Sequence, residues 1–283
     1  MTDIRHIVVP MDSNDLFAAA EFESTVSVWS FARRTRVAEL RTILDAGGPR
    51  FALDGSGEFV IAAAHSGGVE AYHVRSGSAV WRRKERGVQH VIELSKKHRL
   101  IGIGQDTGAF IIVDLITGKT ELELEGVSNI FPGPASLSLG IRGHQVCLYD
   151  SWNRRVWERP TGSFAVLDVA FSATQLLISE AAGGIHCLNL SGKEHWRFAF
   201  GKASHALHLK WSTKKQLWLA VVWNYEQGGP KHLYGFDDAG QPRFVTEISD
   251  SADAGFIEGE YLIESNGDIT RVEDHELVWN FLA

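Results

Sequence analysis

One pattern recurs seven times along this chain: an alternating strand, a tight polar turn, and then an aromatic or aliphatic strand. The turn positions are Arg34, Gly77, Gly118, Asn153, Gly192, Gly240 and His275, separated by 43, 41, 35, 39, 48 and 35 residues. Four places on stand Ala38, Trp81, Leu122, Trp157, Trp196, Phe244 and Trp279, so five of the seven copies carry an aromatic there. Gly and Asn accept the positive φ that a tight hairpin demands. A large flat side chain on the following strand can cover the next sheet. A period of roughly forty residues is that of four-stranded propeller blades, which cannot bury their faces alone and therefore stack around a common axis.

Divided into fours, the strands fall into register. The copies are 4–41, 50–83, 88–125, 127–158, 164–200, 206–248 and 254–281, with Gly, Asp, Asn or Ser at the breaks. The expected fold is all-β, a seven-bladed β-propeller with four antiparallel strands per blade, occupying 1–283 as a single domain. No convincing helix is left over. Because the first strand is an inner one and the last an outer one, each blade can be built from contiguous residues. A frame offset by one strand predicts instead a last blade completed by strand exchange.

Two stretches show the repeat most clearly: Ala71-Tyr72-His73-Val74-Arg75-Ser76-Gly77-Ser78-Ala79-Val80-Trp81, and Asp114-Leu115-Ile116-Thr117-Gly118. The first resembles the tryptophan-docking motif of quinoprotein-like propellers, an Ala, Asp, Thr-Gly and Trp series in which the indole locks neighbouring blades. His73 stands where that motif has Asp. The second keeps the Asp and Thr-Gly but ends in Leu122, while Ser191-Gly192 to Trp196 keeps the turn and the indole. In length and blade count the chain is also similar to the WD40 class, without its Gly-His and Trp-Asp dipeptides. The resemblance implies a WD40-like or quinoprotein-like superfamily fold across the whole chain. Trp81, Trp157, Trp196 and Trp279 recur with the blade period, which reads as a structural role, since a special site would not repeat.

Composition narrows the partners. The net charge is −7, and the basic runs Arg33-Arg34 and Arg82-Arg83-Lys84 are short, which argues against a polyanion-binding face and so against nucleic acid. Cys147 and Cys187 lie at equivalent third-strand positions and read as small buried residues in a reducing compartment. No basic segment followed by an apolar run opens the chain, and no run has the length of a membrane span. The expected location is the cytoplasm, with no membrane partner.

Each inner strand places one polar residue ahead of its apolar alternation: His6, Arg50, His90, Asn129, Asp168 and His208, with Asp253 or Ala254 in the last copy. In a ring these point at the axis. A water-filled channel accounts for their polarity, and the sharper alternative is a metal or small ligand held by His6, His90, Asp168 and His208. Calcium chemistry would want more oxygen ligands than this set offers. No nucleophile elbow or phosphate-cradling loop is present. His205 and His208, three apart in a strand, should face opposite ways and so should not chelate together.

The longest spacing lies in the sixth copy, and the excess is Trp223-Asn224-Tyr225-Glu226-Gln227-Gly228-Gly229-Pro230-Lys231, between its second and third strands. Aromatics on a projecting loop anchor interfaces. Trp223, Asn224, Tyr225, Glu226 and Lys231 are therefore the candidate partner-binding residues, on the face expected to carry the channel mouth and the connection Asp45-Ala-Gly-Gly-Pro49. The bland reading packs Trp223 inside the blade as the end of Leu217, Leu219 and Val221. Trp152 in another turn is a second candidate on the opposite face. The function expected is a non-enzymatic protein-binding platform without cofactor or metal: an adaptor, an assembly factor or a dedicated inhibitor such as a toxin-neutralising protein. The alternatives are a metal- or small-ligand-binding enzyme with its site in the channel, and an envelope assembly factor.

Overall fold

Each of the seven sequence copies folds into its own sheet, and the sheets stand around a central channel. The structure is a computed structural model that describes residues 4–10, 13, 15–21, 24–45, 50–65, 67–151, 154–161, 165–181, 184–201, 203–226, 229–249 and 253–283. Blade one is β1 to β4 (Ile4–Val8, Leu16–Glu21, Thr25–Ser30, Thr35–Arg41) and blade two β5 to β8 (Phe51–Leu53, Phe59–Ala64, Gly68–His73, Ala79–Arg83). Blade three is β9 to β12 (Val88–Ser95, Leu100–Gln105, Ala109–Asp114, Thr120–Glu125) and blade four β13 to β16 (Asn129–Pro132, Leu137–Arg142, Gln145–Asp150, Arg154–Pro160). Blade five is β17 to β20 (Val166–Phe171, Gln175–Glu180, Gly184–Asn189, Glu194–Ala199) and blade six β21 to β24 (Ser204–Ser212, Leu217–Asn224, His232–Phe236, Pro242–Glu247). Blade seven is β25 to β28 (Ala254–Ile257, Tyr261–Glu264, Asp268–Arg271, Leu277–Asn280).

Every sheet is antiparallel and contiguous in sequence, so no strand is exchanged to close the ring. Among the described residues the only helical element is a 3-10 turn at Pro134–Ser136. Pro132 and Pro134 lack an N–H, and Ala135 and Ser136 adopt φ of 51° and 67°, so pairing starts only at Leu137.

Seven apolar cores lie between neighbouring blades, one at each junction. In β6, Phe59, Ile61 and Ala63 face blade three while Val60 and Ala62 face blade one, which is why the middle strands read as unbroken apolar runs. The outer strands have one wet face. In β12, Glu121, Glu123 and Glu125 are exposed while Leu122 and Leu124 cover the next core.

The turn positions behave as their residue types require: Arg34, Gly77, Gly118, Gly192, Gly240 and His275 all have positive φ, while Asn153 lies outside the described residues. The indole of Trp81 lies on Gly118 of the next blade, where a Cβ would come within 2.7 Å of the ring, and its Nε1 donates to Leu115 O at 2.7 Å. Trp157 does the same on Gly192, donating to Leu190 O at 2.9 Å. Trp196 lies on Gly240 and stacks on Phe236, but its Nε1 has no partner among the described residues. At the weakest copy, Leu40 rather than Ala38 reaches Gly77. Closure between blades seven and one uses an aromatic cluster, with Trp29 6.0 Å from Trp279 and Phe17 5.1 Å from Phe281.

Candidate functional site

The channel residues are aimed by a backbone device invisible in the one-dimensional pattern. In β1, β9, β17 and β21 the pairing slips by one residue, leaving Arg5, Gln89, Leu167 and Leu207 as the extra residue immediately ahead of His6, His90, Asp168 and His208. A β-bulge of this kind re-aims the following side chain. One expectation is corrected by it. His205 pairs opposite Trp223 and His208 opposite Val221, so the two histidines share a face of the sheet.

Once aimed, these groups tie each blade to the next. Asp168 Oδ1 accepts the N–H of Val169 at 2.8 Å and Oδ2 that of Leu209, in the next inner strand, at 2.7 Å. Asp253 repeats the arrangement at ring closure: Oδ2 accepts the Ile7 N–H at 2.8 Å with His6 Nδ1 3.8 Å away, and Oδ1 lies 3.0 Å from His208 Nε2. One carboxylate thus joins blades six, seven and one. His90 reaches the backbone of Ser128 at the head of blade four, while its Nε2 is buried against Gly104 without a partner among the described residues. Asn129 Oδ1 accepts from Ile130 N at 2.8 Å. Arg50 is drawn aside by Asp45 at 2.9 Å, and Asp45 also accepts the His65 N–H.

Burial and charge then set the protonation states. Burial pushes the Asp168 carboxyl up to about 6 despite His208 and the two N–H donors. Burial also opposes the His208 imidazolium, but the Asp253 hydrogen bond and charge outweigh it and raise its pKa. Asp253, for which burial acts the other way, is held well below the usual carboxylate range by His208, His6 and the Ile7 N–H. Burial depresses His90. Among the described residues no three His, Cys, Asp or Glu groups converge as a metal would require.

The two ends of the ring differ. One face carries the turns between second and third strands and the connections from blade to blade, and there Tyr225 is the one exposed aromatic among the described residues, at 45%. Its ring lies 4.6 Å from His205 and 6.5 Å from Trp223, and its N–H donates to Ala203 O at 3.0 Å. Trp223 and Asn224 are half-buried and Glu226 is exposed. Lys231 departs from the expected surface set: it is buried at 5%, beside the channel, where its charge opposes that of His208. Trp152, Gln227, Gly228 and 46–49 lie outside the described residues.

A broad mouth of the channel opens on the opposite face. There the turns between first and second strands surround a funnel of about 1380 Å³ whose lining includes Phe131, Pro132, Phe171 and Trp211, with Asp168 deep inside. Sequence reading passed over these side chains because each ends an inner strand and looks like ordinary core.

Against known proteins, the chain matches no family model and no curated protein. The crystal structure of BamB from Moraxella catarrhalis is similar, with a TM-score of 0.65 over 95% of this chain and 82% of that one, at 13% sequence identity. That likeness is one of fold. It agrees with the β-propeller architecture.

Proposed function

We propose that residues 1–283 act as one propeller domain whose job is to bind another protein, without catalysis, on the face that carries the 223–231 hairpin. The observation that carries this reading is the Tyr225 ring, exposed on the longest hairpin and backed by His205 and Trp223. An exposed aromatic braced by neighbours loses little freedom on binding and can dominate an interface. The channel groups, by contrast, are engaged in holding blades together. The adaptor and inhibitor readings go with the cytoplasm.

The test is to isolate the protein from its own cells and identify a stoichiometric polypeptide that accompanies it. Tyr225→Ala should lose that polypeptide while melting as the parent does, and Trp223→Ala should weaken it. Retention by both variants removes this face from consideration. A second reading, an envelope assembly factor, is favoured by the fold likeness to BamB. Recovery of the mature protein from the envelope fraction, together with envelope proteins, would select it over the cytoplasmic adaptor.

A further inference from the structure

The funnel on the face opposite the hairpin has a wall and a rim of different chemistry. Its wall in blades four to six carries three apolar groups among polar ones such as Ser172, Gln175 and Thr213: Pro132, Phe171 and Trp211 are half-buried, and the Phe171 ring lies so close to Gly133 that a Cβ there would meet it at 2.8 Å. Gly133 is thus what lets the ring lie flat against the loop beside the opening. Phe171 and Trp211 also pack against the blade cores, so each is held in place while its outer part faces the opening.

The rim is polarised. On blades six and seven, the turns are acidic and only partly neutralised: Lys214 pairs with Glu260 at 2.9 Å, Lys215 with Glu273 at 2.9 Å, Arg243 with Asp237 at 2.8 Å and Arg271 with Asp274 at 2.7 Å, while the exposed Asp238 and Glu258 take part in no ion pair among the described residues. Across the ring, blade three presents the turn Lys96-Lys97-His98-Arg99, exposed throughout. Neither lysine nor His98 takes part in an ion pair among the described residues, and Lys96, Lys97 and His98 line the funnel. Arg75 and Lys119, exposed in the outer turns of blades two and three, extend the same sector. The unpaired charge at this mouth is therefore of opposite sign on its two sides, positive on blade three and negative on blades six and seven.

The structure assigns to this funnel a second binding site, independent of the hairpin face, for an extended polypeptide segment whose acidic residues meet the 96–99 turn and whose apolar side chains lie on Pro132, Phe171 and Trp211. A cavity of about 1380 Å³ exceeds the roughly 300–1,000 Å³ of a small-molecule pocket and is open at its mouth. An extended chain places alternate side chains on opposite sides, which suits a wall and a charged rim read together. With both faces occupied, the ring would join two polypeptides.

The probe is a fluorescein-labelled peptide of about ten residues, some 33 Å when extended, alternating Glu with Phe or Leu, followed by anisotropy. Saturable binding is expected, weakening as salt is raised. Lys96→Glu/Lys97→Glu and Phe171→Ala should each weaken it about tenfold or more, while Tyr225→Ala on the other face leaves it unchanged. Phe171→Ala is scored only if its thermal unfolding is cooperative; the charge reversal is confined to exposed side chains and carries the test regardless. The assignment is overturned if the peptide does not bind, if its counterpart with Lys for Glu binds as well, or if the charge reversal has no effect. Binding of the same lysines to phosphatidylglycerol vesicles but not to the peptide would also overturn it, in favour of a membrane surface.

Discussion

Asp253 Oδ2 accepts the backbone N–H of Ile7 at 2.8 Å, joining residues 246 apart in sequence. No strand crosses from blade seven to blade one, so this bond and the Trp29, Trp279, Phe17 and Phe281 cluster are what close the ring. The same carboxylate holds His208 of blade six at 3.0 Å. Asp253→Ala should therefore destabilise the protein by about 3 kcal/mol, the cost of leaving the partners of a broken, mostly buried pair uncompensated. Urea unfolding followed by tryptophan fluorescence measures it. A loss no larger than that of an exposed carboxylate such as Glu123→Ala would remove Asp253 as the closing link.

The same cluster predicts how stability follows pH. His208 has a folded-state pKa raised above 6.5, so its contribution is complete below pH 6.5 and is lost as pH rises through the raised value. Asp168, raised from 3.8 to about 6, acts in the same sense: its contribution is complete below 3.8 and lost as pH rises through about 6. Asp253 is depressed, so its contribution is present above 3.8 and is lost on acidification below that. His90, whose pKa burial depresses, acts the other way, its contribution growing as pH rises to 6.5. Unfolding midpoints measured from pH 6.5 to 8 should therefore fall with rising pH, and that fall should shrink in His208→Gln.

Tryptophan docking separates backbone strain from collision. Gly108 and Gly118 have φ of 78° and 67°, but a Cβ on Gly108 meets nothing within 4 Å whereas one on Gly118 meets the Trp81 indole at 2.7 Å. Gly108→Ala should cost about 1 kcal/mol, the penalty of a left-handed L-residue. Gly118→Ala should cost about 3 kcal/mol, because overpacking adds to that penalty. Equal costs in denaturant titrations would mean that the indole does not rest on the turn.

Cys147 and Cys187 are buried and unpaired. Burial raises both thiols, that of Cys187 to about 12, and the thiolate is the reactive form. Ellman's reagent should therefore find two thiols only after unfolding. Rapid reaction of either in the native protein would contradict the tight blade cores described above.

The strands, their order and the turn positions were legible because they rest on local physics: period-two alternation, breaks at Gly and Asn, and left-handed φ where Gly77, Gly118, Gly192 and Gly240 stand. Much of the site was not. The one-residue slips at Leu167 and Leu207 depend on how a partner strand pairs, so no spacing rule placed His205 and His208 on one face. Lys231 looked like a loop residue beside Pro230, and its burial became visible only with the neighbouring blade in place.

Sequence alone determined that this chain forms seven four-stranded sheets and that its repeating tryptophans are used between them, since each of those features repeats within a span that local sterics and side-chain alternation control. Tertiary structure decided which polar groups pin the ring, and that Lys96, Lys97 and His98 line one funnel with Phe171 and Trp211. Those arrangements unite residues from different blades, and only closing the ring brings them within reach of one another.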